Sequence, residues 1–106
     1  MLRLSRKART DLQQVYVQGV EMFGSRQADA YIDGLLAQLD LIADFPRIGV
    51  NRPEFGQNTH ILTYKSHAVI YRVDEDQVFI RRIRHGLEDW QADTVSASSD
   101  DENPDT

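Results

Sequence analysis

The stretch HAVIYRVDEDQVFIRRIRH, which runs from His67 to His85, decides the fold of this chain. Two runs rich in β-branched and aromatic residues, 67–73 and 77–84, lie on either side of the acidic segment 74–76. Runs of this composition separated by a short polar turn are typical of a β-hairpin. The sequence therefore predicts two adjacent antiparallel strands here.

The second of these strands has a charged end. Since successive side chains of a strand point to opposite faces, we expect Arg82 and Arg84 to share a face with Val78. Arg81 and His85 then lie on the other face, together with Ile83. Neither face is apolar at this end, so the sheet has a charged corner that core packing does not require. The corner is either a working site or a docking site.

The region before the hairpin predicts a short strand followed by two helices. Residues 1–4 alternate weakly in hydropathy, as a strand does, and Ser5 is placed to cap a helix. Apolar residues then recur at helical spacing up to Gly24, where the first helix ends. Ser25 is placed to cap a second helix, and Pro46 cannot continue that helix.

The fold class follows from the order of these elements. Residues 44–58 hold two prolines and two glycines and predict a long loop, and residues 59–65 predict a further strand. The expected fold is α+β in the order β-α-α-β-β-β, with an antiparallel two-helix hairpin packed on a small, mainly antiparallel sheet. Gly19 and Gly34, inside the helices, indicate either close approach of a neighbouring element or tolerated surface glycines.

Composition excludes several classes of protein. At 106 residues we expect one domain, residues 1–93, and a disordered acidic tail, residues 94–106. There is no cysteine, and the three histidines are not clustered, so neither a metal site nor a cofactor is expected. No apolar run approaches the length that spans a bilayer, and we expect a cytoplasmic protein without membrane contact.

The net charge of −5 belongs to the end of the chain. Five of the 17 acids lie from Asp93 onward, where there is no Lys or Arg. Residues 1–92 therefore balance 12 acids against 12 basic residues. A neutral body does not favour general nucleic-acid binding, which needs several cations on one surface.

Several short motifs, in order along residues 1–90, resemble the RelE/ParE superfamily of bacterial toxins, and its ParE branch in particular. They are Leu4-Ser5 with Asp11-Leu12, Phe23-Gly24 with Gln27-Ala28, Phe45-Pro46-Arg47-Ile48-Gly49 before Arg52-Pro53, His67-Ala68-Val69-Ile70-Tyr71-Arg72, and Arg82-Ile83-Arg84-His85-Gly86. The ordered set is specific, whereas each motif alone is weak.

This resemblance implies a toxin that inhibits DNA gyrase by binding rather than by catalysis. It also implies a cognate ParD-like antitoxin, a toxin–antitoxin hetero-oligomer, and contact with operator DNA only through the antitoxin. The alternative is a RelE-like, ribosome-dependent mRNA endonuclease, because the same fold serves both activities. Its general base, general acid and phosphate-binding groups would come from Tyr71, Arg82, Arg84 and His85.

Under the binding hypothesis the charged corner is a contact surface for the target. Arginine is favoured at interfaces because its planar fork makes paired hydrogen bonds and stacks on aromatic rings. The expected target-binding residues are Arg72, Arg81, Arg82, Arg84, His85 and Trp90. The alternative interpretation is a solvated sheet edge whose arginines discourage aggregation.

The helices carry apolar residues outside their core stripes. These are Val17, Met22, Tyr31 and Leu41, and they predict an exposed groove for an amphipathic antitoxin helix. His60 departs from the family pattern, which often has Arg near this position. Because His titrates near neutrality, we expect this departure to weaken toxicity if the position contributes to it.

Overall fold

In a computed structural model, which describes residues 1–85, two helices pack on one face of a five-stranded sheet. The elements are β1 (Leu2–Leu4), α1 (Arg6–Phe23), α2 (Ser25–Asp44), β2 (Val50–Asn51), β3 (Thr59–Tyr64), β4 (His67–Asp74) and β5 (Gln77–His85), with a 3₁₀ turn at Pro53–Phe55. The strand order is β1-β5-β4-β3-β2. The predicted α+β class is confirmed, with β1 as the parallel member of the sheet.

The beginning of the described chain is attached to its last strand. Leu2 pairs with Val78, and Leu4 pairs with Ile80. The Ser5 hydroxyl accepts a hydrogen bond from the Ala8 N–H (2.9 Å), so its predicted role as helix cap is confirmed. The same hydroxyl donates to a carbonyl of β5 (2.6 Å). The buried Ser5 therefore fixes the start of α1 to the sheet.

The junction of the helices differs from the prediction at Ser25. The residue before α2 is Gly24, with a positive φ of 89°, and no side chain caps the helix. Ser25 is already the first helical residue, so its expected capping role is wrong. A Cβ added at Gly19 would lie 3.2 Å from the Ala28 Cβ, which shows that this glycine marks close approach of the two helices.

The core lies between the helices and the sheet. Its buried members are Ala8, Leu35, Leu39, Ile42, Val69, Tyr71, Val73, Val78, Ile80 and Ile83. The opposite face of the sheet has a smaller cluster, formed by Phe55, Ile61, Ala68 and Ile70. Burial of one face of each helix against the sheet is the main favourable contribution expected for this architecture.

The predicted loop between residues 44 and 58 contains more structure than expected. Its Val50 and Asn51 form β2, which pairs antiparallel with β3. The Gly49 N–H donates a hydrogen bond to the buried Tyr71 hydroxyl (2.9 Å). A Cβ at Gly49 would lie 2.6 Å from that hydroxyl, so only glycine fits here. One two-residue strand, a 3₁₀ turn and a side-chain anchor are therefore present where a loop was predicted.

A β-bulge changes the faces of β5. Ile70 of β4 pairs with Arg82, whereas the next residue of β4 pairs with Ile80, and Arg81 is left between them. An extra residue shifts the alternation of a strand by one. Ile83 consequently lies on the helix-covered face with Val78 and Ile80. The strict alternation predicted for this strand is wrong beyond Ile80.

Within residues 1–85, neither helix combines the length and the hydropathy needed to cross a bilayer. The same part of the chain contains no group of three His, Asp or Glu residues arranged to hold a metal ion.

Candidate functional site: a helical groove and a charged sheet corner

An apolar groove runs along the outer side of the helical hairpin. It has a volume of about 480 Å³ and is lined by Leu12, Gln13, Tyr16, Val17, Ile32 and Leu36. Val17 and Leu36 are 49% and 42% exposed. The Asp29 carboxylate, hydrogen-bonded to the Tyr16 hydroxyl, raises the pKa of that phenol and connects the two helices. The groove is therefore a defined surface with apolar side chains open to solvent.

Of the four residues predicted to contact an antitoxin, Val17 alone lines the groove. Val17 lines the groove, and Met22 is 71% exposed near the end of α1. Tyr31 and Leu41 are half-buried and do not line the groove. None of the other residues that line the groove was predicted to contact an antitoxin. The signal was the width of the apolar stripe, which exceeds what one buried face requires.

Tyr31 faces the sheet. Its hydroxyl lies 2.7 Å from His67 Nδ1, and its ring packs edge-on against Tyr64 with the centroids 5.4 Å apart. Burial raises the pKa of the Tyr31 phenol, although hydrogen bonds from Ser66 act to lower it. The side chain thus connects α2 to the turn between β3 and β4.

The charged corner is organised by an acid on α1. Asp11 accepts two hydrogen bonds from the Arg82 guanidinium, at 2.9 and 3.0 Å, and one from the Ile83 N–H at 2.9 Å. Both side chains of this ion pair are about nine-tenths buried. β1 reaches only to Ile80, and Asp11 occupies the edge of β5 beyond it. The Arg82 side chain is therefore held in place by Asp11 of the same chain.

The other predicted target-binding residues have different environments. Arg81 is 2% exposed, so its side chain is inside the folded chain rather than on its surface. Arg72 is half-buried, donates to Asp74 (2.9 Å) and lies over the Phe79 ring at 5.7 Å. Trp90 lies outside the described residues.

Arg84 and His85 lie beside each other on a polar pocket between α1 and the end of β5. This pocket has a volume of about 200 Å³ and is lined by Asp11, Gln14, Val15, Gln18, His67, Ile83, Arg84 and His85. The rings of His67 and His85 meet edge-on at 5.4 Å. Of the predicted contact residues, Arg72, Arg84 and His85 are each half-buried.

The residues proposed for RNA cleavage are not assembled into one cluster. Tyr71 is fully buried and its hydroxyl accepts from Gly49, while Arg82 is paired with Asp11. Burial raises the pKa of the Tyr71 phenol, although the Gly49 hydrogen bond acts to lower it. His60 is 8% exposed and stacks on the Tyr71 ring, with the centroids 5.5 Å apart.

A two-helix hairpin lies on one face of a five-stranded sheet whose first strand is parallel to its last, and a solved ParDE toxin–antitoxin system has a similar fold. The chain belongs to the ParE branch, because the model of the family described as "ParE toxin of type II toxin-antitoxin system, parDE" matches residues 2–90.

Individual relatives agree with this assignment. Toxin ParE1 of Caulobacter vibrioides (strain ATCC 19089 / CIP 103742 / CB 15) is 32% identical over 83 residues, which cover 78% of this chain and 85% of the relative. A solved structure described as the chromosomal ParDE TA system from P. aeruginosa has a similar fold, with a TM-score of 0.69 and 24% identity. That similarity covers 79% of this chain and 92% of the other.

Proposed function

We propose that this protein is the toxin of a toxin–antitoxin pair that binds and inhibits DNA gyrase and is neutralised by a cognate antitoxin. The observation that carries the proposal is the exposed apolar groove of the helical hairpin in a chain of the ParE family. The toxin and its antitoxin form a hetero-oligomer, and this complex contacts operator DNA through the antitoxin.

The groove fits an amphipathic helix of the antitoxin. Helix-in-groove recognition needs apolar side chains on both walls and enough length for two or more anchors of the incoming helix. Val17 on α1 and Leu36 on α2 supply opposing apolar walls and are both partly exposed. Exposed apolar surface of this kind favours a permanent partner, since monomeric proteins keep such patches small.

The polar contacts at the other end of the molecule support a mechanism of binding rather than RNA cleavage. A general base must reach the substrate hydroxyl, but the Tyr71 phenol is buried and already accepts from Gly49. Arg82 is held by Asp11 and is not positioned as a mobile phosphate ligand. Arg72, Arg84 and His85, together with Trp90, are the residues we propose for contact with gyrase.

Two assays with the purified protein test the target. We expect inhibition of gyrase-dependent supercoiling of plasmid DNA and no cleavage of mRNA on translating ribosomes. Arg84→Ala should weaken the inhibition, whereas Arg26→Ala, on the outer surface of α2, serves as the control. Cleavage of ribosome-bound mRNA with gyrase unaffected would refute the proposal and favour the endonuclease.

A charge in the groove tests the antitoxin site. Val17→Lys places an ammonium group among apolar side chains that an antitoxin helix would desolvate, so we expect the affinity for the cognate antitoxin to fall by at least about tenfold. Ala30→Lys is the matched control because Ala30 is exposed on α2 and does not line the groove. Affinity is measured by calorimetric titration. Equal affinities of both variants would place the antitoxin elsewhere.

A further inference from the structure

The helical hairpin is acidic over most of its length. From residue 10 to residue 44 the chain has six acids and a single base, Arg26. The acids are Asp11, Glu21, Asp29, Asp33, Asp40 and Asp44. Asp11 is paired with Arg82 at the sheet corner, and the other bases of the two helices lie in the first turn of α1, at residues 6–9. The rest of the hairpin therefore carries a net negative charge.

Three of these acids border the apolar groove along α2. Asp33 precedes the groove residue Leu36 by three positions and Asp40 follows it by four, and side chains at these spacings are neighbours on a helix. Asp29 is hydrogen-bonded to the hydroxyl of Tyr16, which lines the groove from α1. All three acids are exposed. Together they form an acidic ridge, residues 29, 33 and 40, beside the groove.

The acidic ridge does not stabilise α2. Asp29 and Asp33 are four residues apart, as are Asp40 and Asp44, and like charges at this spacing destabilise a helix. Within residues 1–85, neither Asp33 nor Asp40 forms an ion pair that would offset this repulsion. A helix face that only needs solvation usually mixes both signs of charge. A partner with positive charge would remove the repulsion, so the ridge is better explained by binding than by folding.

The sign of the ridge restricts what can cover the groove. Nucleic acids and anionic lipids would be repelled. The end of this chain would be repelled as well, because it has five acids and no Lys or Arg from Asp93 onward. A second copy packed groove to groove would bring two acidic ridges together. The occupant therefore needs an apolar stripe for the groove and positive charge beside that stripe.

We infer that the cognate antitoxin enters the groove as a helix with a basic flank. Its apolar stripe packs between Val17 and Leu36, and Lys or Arg residues next to that stripe face the acidic ridge, which is about 16 Å long at 1.5 Å per residue. This inference rests on the proposed antitoxin site and adds the charge that its occupant carries. An antitoxin with an acidic flank is rejected by the same ridge, so the ridge also contributes specificity.

The test is a calorimetric titration of the full-length toxin with its antitoxin, the product of the adjacent reading frame, at about 50 mM and about 500 mM NaCl. Asp33→Asn combined with Asp40→Asn removes two charges of the ridge. We expect the affinity to fall about three- to tenfold at low salt, as for the loss of two exposed ion pairs. The difference from the wild type should nearly vanish at high salt, where exposed charges are screened.

A matched control removes the same charge elsewhere. Glu75→Gln combined with Asp76→Asn neutralises two exposed acids in the turn between β4 and β5, far from the groove lining. This control should leave the affinity unchanged. Equal losses in the control and in the ridge variant would show that only the net charge of the toxin matters, and would refute the inference.

Val17→Lys separates the inference from the proposed antitoxin site. If Val17→Lys lowers the affinity and the ridge variant does not, the antitoxin occupies the groove but carries no basic flank, and only the inference is wrong. If neither change lowers the affinity, the antitoxin does not bind in the groove, and both proposals are wrong.

The melting temperature distinguishes recognition from folding. Asn and Asp have similar helix propensities, and the ridge variant removes like-charge repulsion, so its melting temperature should be no lower than that of the wild type. Weaker binding together with a lower melting temperature would assign the two acids to the fold and overturn the inference.

Discussion

Asp11 shows how much one side chain contributes when it satisfies several groups. It neutralises Arg82 and accepts the N–H of Ile83, at the part of the β5 edge that β1 does not cover. A buried or half-buried N–H without an acceptor costs roughly 1–3 kcal/mol, and an unpaired buried charge costs more. The sequence offers no local signal for this pair, because the two partners are 71 residues apart.

Replacement of Asp11 should therefore be costly. Asp11→Ala removes two hydrogen bonds to the Arg82 guanidinium and the acceptor of the Ile83 N–H at a nearly buried position, and we expect the free energy of unfolding to fall by about 2–4 kcal/mol. Asp74→Ala is the control, since the Asp74 side chain is 50% exposed in its pair with Arg72 and should contribute less than about 1 kcal/mol. Urea denaturation measures both; equal losses would contradict this account.

The exposure of individual side chains was hard to predict from the sequence. Arg81 and Arg84 are two of the same residue in one strand, and the sequence assigned both to the surface. The β-bulge places the Arg81 side chain in a buried position, whereas Arg84 lines a pocket. An inserted residue of this kind depends on the register with β4, which no pattern within β5 reveals.

At the scale of elements, the two serines that precede helical segments are not equivalent. Ser5 accepts from the Ala8 N–H and donates to the Arg81 carbonyl, and it is 2% exposed. Ser25 is exposed and caps nothing. Both serines match the residue preference for helix N-caps. That preference depends on residue type alone and does not show that Gly24 occupies the N-cap position of α2.

Two matched variants separate these roles. Ser5→Ala should lower the free energy of unfolding by about 2 kcal/mol, because a helix cap and a buried carbonyl both lose their partner. Ser25→Ala should change it by less than about 0.5 kcal/mol. Chemical denaturation followed by circular dichroism measures both values. A neutral Ser5→Ala variant would show that the contact between α1 and β5 contributes nothing to stability.

For the whole molecule, the order of the helices and long strands was predictable from the sequence. The short elements within residues 44–58 were not. The periodicity of apolar residues and the positions of glycine and proline predict the two helices and the three long strands. β2 has only two residues, too few for any period, and it exists because Val50 pairs with Ile61 while Tyr71 anchors Gly49. The candidate groove was expected, but its lining depends on how the helices pack.

The acidic end of the chain is a prediction at this scale. The family model ends at residue 90, and the expected domain ends at residue 93. We expect that deletion of residues 94–106 changes the free energy of unfolding by less than about 0.5 kcal/mol and leaves antitoxin affinity unchanged. Thermal denaturation and calorimetric titration measure the two quantities. A clear loss in either would assign the segment to the folded domain.

The parallel pairing of β1 with β5 also fixes when the domain can be completed. Leu2 and Leu4 are synthesised first, yet their partners are Val78 and Ile80. Contacts between residues so distant in sequence close a long loop late, and they slow folding relative to local contacts. Until those partners have left the ribosome, β1 has nothing to pair with, and the contacts of Ser5 with β5 are missing. A nascent chain whose residues 78–80 are still inside the ribosome therefore lacks the finished domain.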